Sequence, residues 1–341
     1  MDKYVLVTGG TGYIGSHTAV ALLEAGYQIV IIDNLNNSSK EVLSRIEEIT
    51  GTTPPFVQAD LRDTDTVHEV FEKYSVTSVM HFAGHKAVGE SVENPSMYYA
   101  NNIGSTLSLI EAMQAAEIFT LIFSSSATVY SSTALSPFKE ETEKDPINPY
   151  GMTKYLIEQR LTDLIKTHAD WRIGLLRYFN PLGAHPTGRL GETSIGTPNN
   201  LMPYLMQVAS GKLPKLKIFG DDYDTPDGTC IRDYIHVADL AKGHLAALQF
   251  LKGRTGAHAW NLGTGKGTSV LELVETVEKV IGYPINREIT SRREGDVIEA
   301  IADPSKAYAE LLWRAELTID DMCKDSWNWQ QQNPDGYSST R

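Results

Sequence analysis

Thr8-Gly9-Gly10-Thr11-Gly12-Tyr13-Ile14-Gly15 stands between the apolar run Val5-Leu6-Val7 and a segment, Tyr13 to about Ala25, that carries Ile14, Ala19, Leu22 and Leu23 at helical spacing. Strand, glycine-rich turn and helix in that order open a dinucleotide-binding unit. Glycines at 9, 12 and 15 allow a tight turn and a backbone close enough to touch a pyrophosphate. The helix N-terminus offers that pyrophosphate free N–H groups and a positive dipole end. A glycine triplet alone is also an ordinary βα loop. Asp33 shifts the balance: it closes the next apolar run, Ile29-Val30-Ile31-Ile32, near the spacing of about 20 residues expected for a carboxylate on a ribose 2′-OH. A carboxylate there favours NAD over NADP, whose 2′-phosphate would meet like charge.

Further apolar runs follow at Phe56-Val57, Val79-Met80-His81-Phe82, Leu121-Ile122-Phe123 and Ile173-Gly174-Leu175-Leu176, with helix-like segments between them. This alternation predicts an α/β fold: a doubly wound parallel sheet of Rossmann type, covered on both faces. From about Asn180 the rhythm changes to shorter elements rich in Pro, Gly and Asn. Residues 1–180 are expected to bind NAD, and 181–341 to form a smaller mixed α/β domain that binds substrate. Some segments after 230 are allowed to pack back on the first domain. The Gln330-Gln331-Gln332 run and the Ser338-Ser339-Thr340 end read as a frayed tail.

The 341 residues carry 41% hydrophobic and 21% charged side chains, the make-up of a globular protein. The net charge of −13 disfavours nucleic acid and anionic lipid as partners. A phosphorylated substrate would then need locally placed cations, for which Arg232, Arg292 and Arg293 are candidates. Two cysteines, Cys230 and Cys323, cannot build a disulfide framework, and the start lacks the shape of a signal peptide. A cytoplasmic protein is expected. The acidic stretch Asp221–Gly228 lacks the spacing of a calcium loop, and the nine histidines form no ligand pair, so no metal is expected. His17 and His236 read as locally hydrogen-bonded. Gly263–Ser269 lacks phosphate-loop spacing and reads as a loop that ends a strand and caps the next helix.

Tyr150 and Lys154, four apart at the start of a helix, share one face. A tyrosine has a pKa of about 10, and lowering it by roughly 3 units takes about 4 kcal/mol. A lysine ammonium and the positive ring of NAD+ could together supply that, making the phenol a general base for a hydroxyl proton. Ser126 follows the strand Leu121–Phe123 and falls at a strand end facing the ligand crevice of such a sheet. Taken singly, a serine run is a common loop, and Y-x-x-x-K arises by chance on amphipathic helices.

These residues resemble the extended short-chain dehydrogenase/reductases, and within them the NAD-dependent sugar-nucleotide 4-epimerases. The resemblance runs nearly end to end, through TGGTGYIGSH, DNLNNS, HFAG, KAVGES, SSSATVY, RYFNPLGAHP, PNNLMPY, IRDYIHVADLA and RREGD. It implies interconversion of UDP-glucose and UDP-galactose in galactose metabolism. Tyr150 would remove the O4 proton while NAD takes and later returns the C4 hydride, with the 4-keto sugar rotating in between. It implies a cofactor site of Gly9, Gly12, Tyr13, Ile14, Gly15, Asp33, Asn34, Asn37, Ser38, Asp60, Leu61, Phe82, Ala83, Gly84, Lys86, Asn101 and Phe179. Ser126, Tyr150 and Lys154 would also touch the cofactor. Asn180, Asn199, Asn200, Leu201, Arg232, Arg293 and Asp296 resemble UDP-sugar contacts, with Lys86, Ser126, Tyr150 and Ala300 beside them. A homodimer through first-domain helices is implied as well.

Three positions and one stretch depart from the family pattern: His85 for leucine, Ser131 for glycine, Ala300 where some members carry tyrosine, and the stretch Thr193–Thr197. A small residue at 300 leaves room for N-acetylated UDP-sugars. Two rival readings remain. A sugar-nucleotide 4,6-dehydratase would need an Asp-Glu pair where Ala127 and Thr128 stand. A non-catalytic NAD-binding regulator would have no need of Tyr150 and Lys154 together.

Overall fold

The computed structural model describes residues 3–194, 196–293 and 295–337. In chain order the first half builds β1 (Tyr4–Thr8), α1 (Tyr13–Glu24), β2 (Gln28–Asp33), α2 (Glu41–Thr50), β3 (Phe56–Gln58), α3 (Thr64–Lys73), β4 (Val76–His81), α4 (Val88–Glu93), α5 (Pro95–Tyr98), α6 (Gly104–Ala115), β5 (Thr120–Ser126), α7 (Pro149–Thr167) and β6 (Arg172–Tyr178). The second half adds β7 (Asn180–Leu182), α8 (Leu201–Ala209), β8 (Leu216–Phe219), β9 (Ile231–His236), α9 (Val237–Phe250), β10 (Gly256–Leu262), β11 (Gly267–Ser269), α10 (Val270–Ile281), β12 (Arg287–Thr290), β13 (Glu299–Ala300), α11 (Ser305–Leu311) and α12 (Ile319–Gln332).

Seven parallel strands form the main sheet in the order β10-β6-β5-β4-β1-β2-β3. Side chains alternate across a strand, so each apolar run feeds two cores. Val5, Val7, Ile29, Ile31, Met80 and Ile122 pack on one face with α1, α2 and α9. Leu6, Val30, Ile32, Val79, Leu121 and Phe123 pack on the other with α3, α6 and α7. This is the doubly wound sheet expected from the sequence. The order reverses between β1 and β4, which places the ligand crevice outside their C-terminal ends.

One strand of that sheet comes from beyond residue 180. β10 pairs with β6 from Gly256↔Arg172 to Leu262↔Tyr178, and α9 packs beside α1. The remaining second half forms a sheet in which β9 pairs with β7, β11 and β13, plus the two-stranded β8–β12. Its core joins α8, α10 and α12 through Leu205, Leu273, Val277 and Met322. Gly267–Ser269 forms β11, and Ser269 then caps α10 through a reciprocal bond with Glu272.

The glutamine run is not frayed. Gln330–Gln332 closes α12, Gln330 is buried, and Gln332 donates to Thr187 O at 3.2 Å and Asn328 Oδ1 at 2.9 Å. The Ser338-Ser339-Thr340 end lies outside the described residues, as do Ile195 within the Thr193–Thr197 stretch and Glu294 within RREGD.

Candidate active site

The glycine turn is tight because its neighbours leave no room for side chains. Gly9 has φ +67°, and a Cβ there would stand 2.7 Å from Ala83 N. A Cβ on Gly15 would overlap the Gly9 carbonyl. No side chain caps α1, so its first-turn N–H groups stand at the cavity that Gly12, Tyr13, Ile14 and Gly15 line. Asp33 ends β2 beside them, nearly buried, and accepts from Thr11 N, Leu35 N and Ser38 Oγ at 2.9–3.1 Å. Ser38 therefore orients Asp33. Asp60 is held ionised by Arg62, which donates to both its oxygens at 2.8–2.9 Å and drives its carboxyl well below the usual range. Glycine cradle, uncapped helix start and oriented carboxylate fit a dinucleotide.

A cavity of about 320 Å³ runs along the C-terminal strand ends. Of the expected cofactor residues it is lined by Gly9, Gly12, Tyr13, Ile14, Gly15, Asp33, Asn34, Asn37, Asp60, Leu61, Phe82, Ala83, Gly84, Lys86, Asn101 and Phe179. Ser126, Tyr150 and Lys154 line its inner end, with Asn180, Asn200 and Leu201 from the second half. Ser38, Asn199, Arg232, Arg293, Asp296 and Ala300 are not among the lining residues.

The arginines form their own cluster. Asp296 Oδ1 accepts from Arg293 Nη2 at 2.8 Å and lies 3.6 Å from Arg232 Nη2, while Arg232 Nη1 donates to Ile231 O and Val297 O. Arg292 instead binds Asp222 and lies over the Tyr223 ring. Ala300 faces Arg232 across the β13–β9 pair and packs against the apolar cluster of Phe138 and Phe179.

Tyr150 and Lys154 sit in the first turns of α7, which Asn148 caps by accepting from Gly151 N at 2.8 Å. A Cβ on Gly151 would come 2.5 Å from Thr128 O, so glycine lets this helix touch the loop after β5. Tyr150 N donates to buried Ser91 Oγ at 3.2 Å. Lys154 is buried. Its Nζ donates to Ser124 O at 2.7 Å and stands 4.9 Å from the centre of the Phe123 ring and 5.7 Å from that of Tyr150. Ser126 Oγ accepts from Thr128 N and Thr128 Oγ1 at 3.2 and 3.0 Å. Its own hydrogen is thus left free to turn toward the Tyr150 phenol, which Ser126 pulls downward.

Burial raises the Tyr150 phenol to about 12, against a smaller downward pull from Ser126. The expected lowering by lysine is not found in the protein alone: burial of the phenol dominates, and Ser126 is the one group that opposes it. Burial lowers Lys154 to about 8, opposed by the negative charge of Glu158. At neutral pH the ammonium is still the major form.

Several site residues escaped the sequence reading. Thr128 orients Ser126. Glu192 accepts from Lys86 Nζ at 2.5 Å and Asn200 Nδ2 at 2.9 Å, tying the two halves across the cavity. Tyr178 and Tyr234 line the cavity. Glu158 lies eight residues after Tyr150, on the face that Tyr150 and Lys154 share, and that periodicity was its one available signal. His85 lines the cavity, rests against the Tyr98 ring, and has its backbone clasped by the Asn102 amide at 2.8 and 3.0 Å.

Neither Ala127 nor Thr128 supplies a carboxylate, so the acid–base pair of a dehydratase is not present beside Ser126. Within Asp221–Gly228, Asp227 binds Thr229 and Ser269. Among the described residues no group of three His, Cys, Asp or Glu is placed to hold a metal ion, and no helix is long and apolar enough to cross a membrane. His17 Nδ1 bonds Tyr13 O, and His236 bonds Ala238 N and Asp325.

Residues 5–263 match the model of the NAD dependent epimerase/dehydratase family. The chain is 53% identical over 335 residues to a UDP-glucose 4-epimerase of Bacillus subtilis, covering 98% of this chain and 99% of that protein. Among solved structures it resembles the UDP-glucose 4-epimerase of Bifidobacterium longum in complex with NAD+ and UDP, with TM-score 0.95 and 50% identity over 98% of this chain and 100% of that one. The UDP-Glc/GlcNAc 4-epimerase of Campylobacter jejuni is similar at TM-score 0.85 and 37% identity, over 97% of this chain and 100% of that one.

Proposed function

The chain belongs to the NAD dependent epimerase/dehydratase family, and we propose that Tyr150, Lys154 and Ser126 are the residues with which it interconverts UDP-glucose and UDP-galactose. It is an isomerase that works with NAD. One arrangement carries the assignment of residues: a half-buried tyrosine and a buried lysine on one helix face, opposite a serine whose hydrogen is left free to donate.

In this reading Tyr150 takes the O4 proton and gives it back to the epimeric hydroxyl. Burial alone holds the phenol protonated, so positive charge beside it makes it a base. Lys154 brings one such charge, fixed by Ser124 O. Bound NAD supplies the second charge and the hydride acceptor for C4. Ser126 bridges Tyr150 and O4 and keeps the proton path short. The cradle at Gly9, Gly12 and Gly15 with Asp33 holds the dinucleotide; Arg232 and Arg293 hold the UDP diphosphate, for which a guanidinium fork is suited. Residues 1–180 then serve mainly NAD, and 181–341 mainly the UDP-sugar. Tyr150→Phe tests the assignment: it removes the titrating hydroxyl but keeps the ring. Epimerisation should fall at least about 10²-fold with NAD still bound, and wild-type turnover in that variant would overturn it.

The small Ala300 supports acceptance of UDP-GlcNAc and UDP-GalNAc as well. Ala300→Tyr should then remove turnover of UDP-GlcNAc while sparing UDP-glucose, and a wild-type enzyme inert on UDP-GlcNAc would end the idea. A homodimer is favoured by Leu107 on α6 and Leu156 on α7, both exposed apolar residues on first-domain helices. The two free, buried cysteines suit a reducing cytoplasm.

A further inference from the structure

The face of α7 that carries Tyr150 and Lys154 continues to Glu158, and the carboxylate there is almost fully buried. A buried carboxylate needs partners, and Glu158 has three charge-assisted bonds. Arg177 on β6 donates from Nε to Oε1 at 2.9 Å and from Nη2 to Oε2 at 2.6 Å, and Ser125 Oγ on β5 donates to Oε1 at 2.5 Å. Arg177 is anchored in turn by Tyr130 Oη at 3.1 Å and Glu140 O at 2.9 Å, and Tyr130 donates to Asn261 Oδ1 on β10 at 2.6 Å. The network thus ties α7 to three strands of the main sheet. None of Ser125, Glu158 or Arg177 lines the substrate cavity.

We propose that Glu158 is a positioning residue for the reaction: its clamped carboxylate, one helical turn beyond Lys154, keeps Lys154 charged and in register with Tyr150. This rests on the assignment of Tyr150 and Lys154 made above. Around Lys154 the titratable groups are few. On α7 they are Tyr150 and Glu158. On β6 they are Arg177, already neutralised by Glu158, and Tyr178, which burial keeps protonated. On β4 there is His81, which burial keeps neutral down to about pH 3. Tyr98 on α5 is likewise protonated. From β5 come only the Ser124 carbonyl, the Phe123 ring and serine hydroxyls. Among the described residues Glu158 is the one charged group that acts on the Lys154 proton, and its field opposes the loss of that proton in a buried site.

The test is the pH profile of kcat for NAD-loaded enzyme. Lys154 charge is lost as pH rises through its pKa, so removing Glu158 should pull the alkaline limb downward. Glu158→Gln should shift it by about one pH unit or more, a loss of roughly fivefold in kcat at about pH 8 that approaches about tenfold at higher pH, with KM for UDP-glucose within about twofold. Glu158→Asp, which keeps the charge, should restore the limb. Glu158→Gln leaves Arg177 uncompensated and can fail to fold. The double variant Glu158→Met with Arg177→Met replaces the pair by apolar groups of similar length, a change that buried pairs tolerate, and it should shift the limb in the same direction by less, because no uncompensated Arg177 charge is left. Thermal midpoint and bound NAD identify the folded variants. A folded Glu158→Gln or double variant with the wild-type limb overturns the proposal. Tyr150→Phe in the same series separates the two levels. If it is inactive while the limb stays put, only the role of Glu158 fails; if it is active, the assignment beneath it fails too.

Discussion

Gly151 and Thr128 show how little slack the reacting groups have. The α7 backbone approaches Thr128 O so closely that a methyl group would sit at 2.5 Å from it. Gly151→Ala must therefore push the first turn of α7, and with it Tyr150, away from Ser126. Displacements on the order of an ångström cost about 10²-fold in rate. We expect kcat to fall by about that factor while bound NAD is retained, because the glycine cradle at β1 is untouched; absorbance of released cofactor and steady-state rates would check both halves. Thr128 acts more gently. Its hydroxyl gives one of the two hydrogen bonds that direct Ser126. Thr128→Val should reduce kcat roughly 5- to 10-fold, the worth of about 1 kcal/mol in one hydrogen bond, and Thr128→Ser should restore it. Loss in Thr128→Ser with wild-type turnover in Thr128→Val would mean that the methyl contact, not the hydroxyl, matters.

At the scale of elements, legibility followed local pattern. β1, β2, β4, β5 and β6 were visible because each is a run such as Val5-Leu6-Val7 or Ile29–Ile32 that buries both faces of the sheet, while β3, an edge strand, showed only as the partly buried pair Phe56-Val57. β10 was not. Gly256-Ala257-His258-Ala259 is small, polar and only partly buried, because an edge strand has one neighbour and an open side. The Tyr150/Lys154 pair and the glycine turn were legible for a similar reason: each is fixed by one element. Asp296 with Arg232, or Glu192 with Lys86, join segments far apart in sequence, and no local spacing announces such pairs. The edge strand has a further consequence. A fragment of residues 1–180 lacks β10 and α9, leaving the β6 edge unpaired and the α1 face of the core exposed. Expressed alone it should neither show a cooperative thermal transition nor retain NAD, despite holding every expected cofactor residue. A folded, NAD-binding fragment would show the division by function to be a division by folding as well.

For the whole molecule, acid should be the weak side. Three histidines are buried in the neutral form in separate places. His81 sits between the hydroxyls of Thr8 and Thr106, His17 in α1, and His244 in α9 against Phe82 and Tyr178. Burial lowers the first two to about 3 and the third to about 4, against an ordinary value of 6.5. Below pH 6.5 the unfolded chain takes up three protons there that the folded chain refuses. Stability is therefore fully present above that pH and is lost as pH falls toward 4, at roughly 1.4 kcal/mol per pH unit for each histidine. Asp60, whose carboxyl Arg62 drives far down, adds loss of the same sign only below its ordinary value of 3.8. Near pH 5 the histidines dominate, and the slope should be about 4 kcal/mol per unit. Denaturant unfolding of the NAD-loaded protein at pH 7, 6 and 5 would measure it. His244→Asn should remove about one third of the slope, since its ring, with Nδ1 on Leu240 O and Nε2 unpartnered, is the proton-binding group lost. A slope worth less than one proton would mean that these imidazoles reach solvent more easily than their burial implies.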